Sequence, residues 1–184
     1  TYPETEDEIS EAPFRFATIR QATARVQTEV RANFETSLEV LKPYGTFEEI
    51  ELPDFPYSSV ASTLIASEMS AAFDEFISSG DVWELTAPED RFGGYAPQLI
   101  PAKDYINAQR IRVHIQKSLD QIFTRFDAVV TPTMTAVANP ADQDFRAYFA
   151  RYSGTSIGAA ANAAGIPAIT IPNGIGERGL PTGI

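Results

Sequence analysis

Between Pro13 and Pro53 the hydrophobic pattern changes period twice, and this change restricts the fold more than any other feature of the chain. Phe14-Arg15-Phe16-Ala17-Thr18-Ile19 alternates β-forming residues and is expected to be a strand with Phe14, Phe16 and Thr18 on one face. From Thr23 to Leu41, apolar residues at Ala22, Val26, Val30, Phe34, Leu38 and Leu41 keep to one helical stripe, which Pro43 and Gly45 end. Phe47 to Leu52 then reads as a second strand, closed by Pro53 and Pro56. This is a β-α-β rhythm.

The rest of the chain continues it. Ser58 or Ser59 is expected to cap a helix running to about Ile77, with Ala61, Leu64, Ile65, Met69, Ala72, Phe73 and Phe76 on one face. Asp81 to Pro101 has no sustained period and reads as an irregular excursion, whose Trp83, Phe92 and Tyr95 form a hydrophobic lid or line an aromatic pocket. Ala108, Ile111, Ile115, Leu119, Ile122 and Phe126 mark the clearest helix. Ala128-Val129-Val130 reads as a buried strand ended by Thr131-Pro132-Thr133, Asp142 to Arg151 as another helix, and Ala168-Ile169-Thr170-Ile171 as a last strand. Strands alternating with helices of these lengths predict an α/β fold, a mixed β-sheet flanked by helices, rather than a bundle or a sandwich.

Charge and composition remove several functions. Twenty-five acidic residues against 14 basic ones give a net charge of −11, and the only lysines are Lys42, Lys103 and Lys117, so a phosphate-binding face is not expected and nucleic acid is excluded as a partner. Without cysteine there is no thiol nucleophile, disulfide framework or thiolate metal site. The apolar runs fall short of the roughly 20 residues that cross a bilayer, so no membrane association is expected. The compartment stays open, with the cytoplasm as the default. Residues 1–13 carry Glu4, Glu6, Asp7, Glu8 and Glu11 with no base, and read as an acidic linker or tail ahead of one α/β domain over 14–184.

Two glycine motifs invite mechanistic readings that their surroundings do not support. Gly154-Thr155-Ser156-Ile157-Gly158 matches the nucleophile elbow, yet a helix-like stretch precedes it and the only histidine, His114, comes earlier in the chain. Gly174-Ile175-Gly176-Glu177-Arg178-Gly179 matches the dinucleotide fingerprint, but Pro181 leaves no helix to receive a pyrophosphate, and a turn between strands fits better. His114 reads as a surface or packing residue. Glu68 falls by wheel spacing within an apolar stripe, where a buried carboxylate needs a cation or donors; a structural ion pair is favoured over a catalytic role.

Four separated stretches nevertheless occur in a telling order. Asn162-Ala163-Ala164-Gly165-Ile166-Pro167-Ala168-Ile169-Thr170-Ile171-Pro172-Asn173-Gly174, with Gly179-Leu180-Pro181-Thr182-Gly183, strongly resembles the amidase signature family of amide hydrolases. Asp127-Ala128-Val129-Val130-Thr131-Pro132-Thr133 resembles that family's strand and Pro-Thr element, Tyr105, Ala108 and Arg112 its long helix, and Leu64-Ile65-Ala66-Ser67-Glu68 its glutamate-bearing helix. The resemblance implies cleavage of carboxylic amide C–N bonds by a serine, a second serine in a cis peptide and a lysine base. It places this triad on a Gly/Ser-rich segment upstream of Thr1, so no catalytic residue of this chain is assigned.

On that footing the domain is expected to be cut at both ends, and its partners to be a small-molecule amide substrate and the missing N-terminal catalytic portion. No cofactor and no metal are implied. Thr131, Thr133 and Met134, beyond the C-terminal end of a strand, are expected to supply a wall of the substrate pocket. Members that handle an amino-acid carboxylate carry a paired arginine where this chain has Gln98-Leu99-Ile100, which argues against a tRNA amidotransferase. The competing reading is a catalytically inactive, truncated amidase-like scaffold or binding module, with homodimerisation as one way to cover its exposed surface.

Overall fold

The structure is a computed structural model that describes residues 13–20, 22–152 and 157–184. The acidic segment before Pro13 and Ser156 of the elbow-like motif lie outside these residues. The described residues form two compact units, one within Thr1–Leu52, Gln121–Ser156 and Ile169–Ile184, the other within Pro53–Asp120 and Ile157–Ala168. They are called here the sheet unit and the helical unit.

The sheet unit is built on β1 (Phe14–Ile19), α1 (Thr28–Leu41) and β2 (Gly45–Ile50), the β-α-β rhythm read from the sequence. β1 is the central strand of a three-stranded sheet and runs parallel to both β2 and β3 (Ala128–Val130). Its burial has the opposite phase to the expected one: Ala17 and Ile19 are buried, whereas Phe16 is half-buried and Phe14 exposed. The register explains this, because Ala17 and Ile19 share a face with Val129 and Ile50, and Phe126 closes a core there that the bulkier phenylalanines do not enter. The phenylalanines instead form an aromatic ladder, with Phe16 stacked on Phe47 at 4.9 Å and Phe14 at 5.8 Å from Phe16. At the start of β3, Arg15 and Asp127 exchange main-chain and side-chain bonds: Asp127 N–H donates to Arg15 O (2.8 Å), Arg15 N–H to Asp127 Oδ2 (2.7 Å), and the guanidinium Nη2 to Oδ1 (2.9 Å). That bonding holds the Asp127 carboxyl below the usual carboxylate range.

The same unit ends in an antiparallel ladder of β4 (Pro172–Ile175) and β5 (Pro181–Gly183). The Gly176-to-Gly179 stretch is the turn between them, as the missing helix required, with Arg178 and Gly179 at φ 58° and 71°. Ala168–Ile171, expected as a strand, is not one. Ile171 exchanges two bonds with Ile184 (both 3.0 Å), but Ile169 is 81% exposed, and strand geometry begins only at Pro172. A β-forming sequence becomes a strand only where a neighbour takes up its backbone bonds.

A polar ring fastens this ladder to α1. Asn33 Nδ2 donates to Thr182 Oγ1 (2.9 Å), Thr182 Oγ1 donates to Asn173 Oδ1 (2.8 Å), Asn173 Nδ2 donates to Ser37 Oγ (3.0 Å), and Ser37 Oγ donates to Asn33 O (2.7 Å). A Cβ at Gly174 would collide with the Asn33 side chain, so the approach of β4 to α1 requires glycine there.

In the helical unit, α2 (Tyr57–Ala72) breaks at Phe73 (φ −110°, ψ 19°) and α3 (Asp74–Ser78) follows, where one helix to Ile77 was expected. The buried face comprises Val60, Ala61 and Leu64, with Ile77 beyond the break; Ile65, Met69, Phe73 and Phe76 point outward. The excursion 81–101 contains 3-10 turns and one short helix, α4 (Pro88–Gly93), with Trp83 edge-on to Phe92 at 5.1 Å. α5 (Ala102–Phe123) buries Ala108, Ile115 and Leu119, the stripe expected of it. Its Arg112 Nε and Gln116 Nε2 donate to Ala163 O (2.8 Å) and Ala164 O (3.0 Å), satisfying the last carbonyls of α7 (Gly158–Ala164). α7 then stops at left-handed Gly165. The expected helix over 142–151 shrinks to α6 (Phe145–Phe149) of the sheet unit, whose N-cap Asp144 accepts from Ala147 N–H (2.7 Å).

Candidate functional site

β3 is only three residues long because Pro132 cannot donate to a ladder, and the chain leaves the sheet at Thr131. Thr131 and Thr133 are half-buried, Pro132 is buried and Met134 is 49% exposed. Thr133 N–H donates to Gly183 O (2.9 Å), and its hydroxyl lies 3.4 Å from that of Thr170. A Cβ at Gly183 would come within 2.9 Å of Thr133 Oγ1, so the glycine admits the threonine beside β5. Two hydroxyls and one exposed thioether thus follow each other along a segment tied to the hairpin. They can bind and orient a ligand but contain no general base.

Downstream, Ala136 and Val137 are buried and held by Gln27, itself 4% exposed. Gln27 N–H donates to Thr135 O (2.9 Å), Val137 N–H to Gln27 Oε1 (3.0 Å), and Gln27 Nε2 to the Tyr148 hydroxyl (2.9 Å) and Glu177 Oε2 (3.1 Å). Sequence reading missed this group. Gln27 lay inside the expected helix, whose start the structure moves to Thr28, and nothing in the spacing of positions 27, 137, 148 and 177 joins them.

Glu68 differs from its expectation. It lies on the exposed side of α2, not within a buried stripe, and it takes part in none of the ion pairs among the described residues. The Tyr105 hydroxyl donates to Glu68 Oε1 (3.3 Å) and accepts from Gln109 Nε2 (2.9 Å). Glu68 and Tyr105 line an open groove of about 630 Å³ in the helical unit, with Ser67, Ser70, Asp74 and Gln98. Thr131, Thr133 and Met134 are not among its lining residues. His114 is exposed on α5, as the surface reading expected. Among the described residues, no group of three or more His, Cys, Asp or Glu is placed to hold a metal ion, and no helix is long and apolar enough to cross a membrane.

Lys42, Lys103 and Lys117 are all exposed, and Lys42 pairs with Glu39 at 2.5 Å. A lysine that acts as a base must be neutral, which requires desolvation or a neighbouring cation. None of the three has a buried setting.

Comparison with known proteins places this geometry. The chain is 30% identical over 178 residues to a component of the glutamyl-tRNA(Gln) amidotransferase of Chloroflexus aggregans, an alignment covering 84% of this chain and 36% of the relative. In fold it is similar to a crystal structure of an amidase (TM-score 0.75, 22% identity, 93% of this chain and 40% of the other). It is also similar to the corresponding glutamyl-tRNA(Gln) amidotransferase component of Thermotoga maritima (TM-score 0.61, 22% identity, 92% and 37%). The chain thus spans little more than a third of the length of the curated relatives it matches. The family model Amidase matches residues 2–184, and with the parallel sheet, the Thr-Pro-Thr exit from β3 and the Gly-Leu-Pro hairpin all in place, the chain belongs to the amidase signature family.

Proposed function

We propose that these residues are part of a hydrolase that cleaves carboxylic amide C–N bonds by a Ser–cis-Ser–Lys mechanism, with the triad outside these 184 residues. The observation that carries the reading is the family match over 2–184, in a chain spanning about a third of its relatives. The exposure of Lys42, Lys103 and Lys117 is in keeping with a base supplied from elsewhere. In the proposed chemistry a neutral lysine takes the proton of the nucleophilic serine through the bridging serine, and the serine oxygen adds to the amide carbon. The leaving amine then departs with that proton, and water hydrolyses the ester to release the acid and free the serine.

Within that enzyme, 14–184 is part of the α/β domain and 1–13 an acidic linker or tail, while Thr131, Thr133 and Met134 form one wall of the pocket for a small amide substrate. The exposed thioether of Met134 offers a soft apolar contact, and Thr131 and Thr133 offer hydroxyls. Thr133→Val and Met134→Ala, made in the enzyme that joins these residues to its catalytic portion, test the assignment. We expect KM to rise about threefold to tenfold for the preferred amide with kcat nearly unchanged, the mark of lost ground-state binding. Unchanged KM in both variants contradicts the wall. Absence of amide hydrolysis across a panel of aliphatic and aromatic amides contradicts the enzyme reading and favours an inactive scaffold.

A further inference from the structure

The segment proposed as a pocket wall is gripped from one side by a single buried residue. Gln27 precedes α1 in non-helical backbone (φ −58°, ψ 150°), which frees its main-chain N–H to reach Thr135 O while its side-chain carbonyl receives Val137 N–H. The two bonds flank buried Ala136, so one residue fixes both sides of the chain just beyond Met134. Its amide orientation follows from its partners: the Val137 N–H can only donate, and the Glu177 carboxylate oxygen accepts from the amide nitrogen, so a flipped amide would lose both bonds. The hydroxyl of Tyr148, a residue 4% exposed, and the Tyr152 hydroxyl at 3.4 Å complete the surround.

Neither a hydrocarbon nor a carboxylate can replace this side chain. Leucine would leave the buried Val137 N–H without its acceptor, and glutamate would set a second carboxylate against Glu177.

We propose that Gln27 is a positioning residue for substrate binding: through Thr135 and Val137 it sets the path of Thr131–Met134, while the bond of Thr133 to Gly183 holds the middle of the segment. This rests on the reading of Thr131, Thr133 and Met134 as the pocket wall.

The test uses Q27L, Q27E and the double variant Q27E/E177Q in the enzyme that carries these residues with its catalytic portion. In the double variant the carboxylate and the amide exchange places, so the introduced carboxylate accepts from both Val137 N–H and the introduced amide. Q27L should raise KM about tenfold, the equivalent of one buried hydrogen bond lost, with kcat within about twofold. Q27E should raise KM at least as much as Q27L, because it sets a second carboxylate where the amide donated to Glu177. The double variant should return KM to within about twofold of the parent, and hydrogen exchange at the Val137 amide should quicken in Q27L and recover in the double variant.

An unchanged KM in folded Q27L overturns the proposal. Where Q27L does not fold, the double variant decides: parental KM with slow Val137 exchange supports positioning, whereas raised KM with slow exchange overturns it. Thr133→Val and Met134→Ala measured alongside separate the two ideas. If they leave KM unchanged the wall fails, and if they raise KM while Q27L is silent only the positioning role fails.

Discussion

The sheet unit and the helical unit complete themselves by different means. In the sheet unit, polar side chains close three junctions: Arg15 with Asp127 at the start of β3, the ring through Asn33, Thr182, Asn173 and Ser37 under the hairpin, and Gln27 under the segment after Met134. In the helical unit, apart from the bonds of Arg112 and Gln116 to the end of α7, the interior is aliphatic and small, Val60, Ala61, Leu64, Ala108, Ile115, Leu119 and the alanines of α7, while Ile65, Met69 and Phe73 stay outside. The difference teaches where specificity and stability reside. Directional bonds hold a defined segment in place, whereas aliphatic packing supplies cohesion with less geometric demand.

The sharpest way to break this contrast is to empty the aliphatic interior. Ile115→Ala removes a side chain that is 0% exposed and should cost about 2–5 kcal/mol in urea denaturation; a loss below about 1 kcal/mol would mean that the helical unit is not held by its core. Next in size, Gln27→Leu should cost about 1–3 kcal/mol, because the buried Val137 N–H loses its acceptor. A neutral result would make the polar closure of the sheet unit ornamental.

A smaller effect concerns pH. Since Arg15 lowers the pKa of Asp127, the carboxylate contributes stability above the ordinary aspartate range, and that contribution is lost as the pH falls through the lowered value. The stability gap between the parent and Asp127→Asn should therefore be present at pH 7 and shrink below about pH 4. A gap independent of pH would assign the residue's role to its shape. Least of all, Phe73→Ser on the exposed side should stay within about 0.5 kcal/mol of the parent in this chain, and a clear loss in its melting transition would show that the face is covered.

The same contrast explains what could be read in advance. β1, α1, β2, α5 and β3 were legible because each carries a period or a proline stop that local sequence alone decides. The phase of β1 was not, since alternation says that two faces differ but not which one meets the core; Ala17 outranks Phe16 because it lies where Ile50 and Phe126 pack. Of the apolar stripe that periodicity marks on α2, Ala61 and Leu64 are buried while Ile65, Met69 and Phe73 are exposed, and Glu68 lies outside with them. Ala168–Ile171 has the composition of a strand but needs a neighbour that composition cannot name. The Gln27 group joins positions 110 and 150 residues apart, so no local signal marks it. The Thr131–Met134 segment was legible as a strand exit followed by Pro-Thr, and its tie to Gly183 was not.

The central claim is that catalysis belongs to residues outside this chain while the chain supplies scaffold and pocket wall. The most direct measurement is peptide mapping of the enzyme after labelling with a fluorophosphonate probe that reacts with activated serines. The account predicts loss of amide hydrolysis in step with one label, on a serine outside these 184 residues. A stoichiometric label on a serine within them, with the same loss of activity, would contradict it.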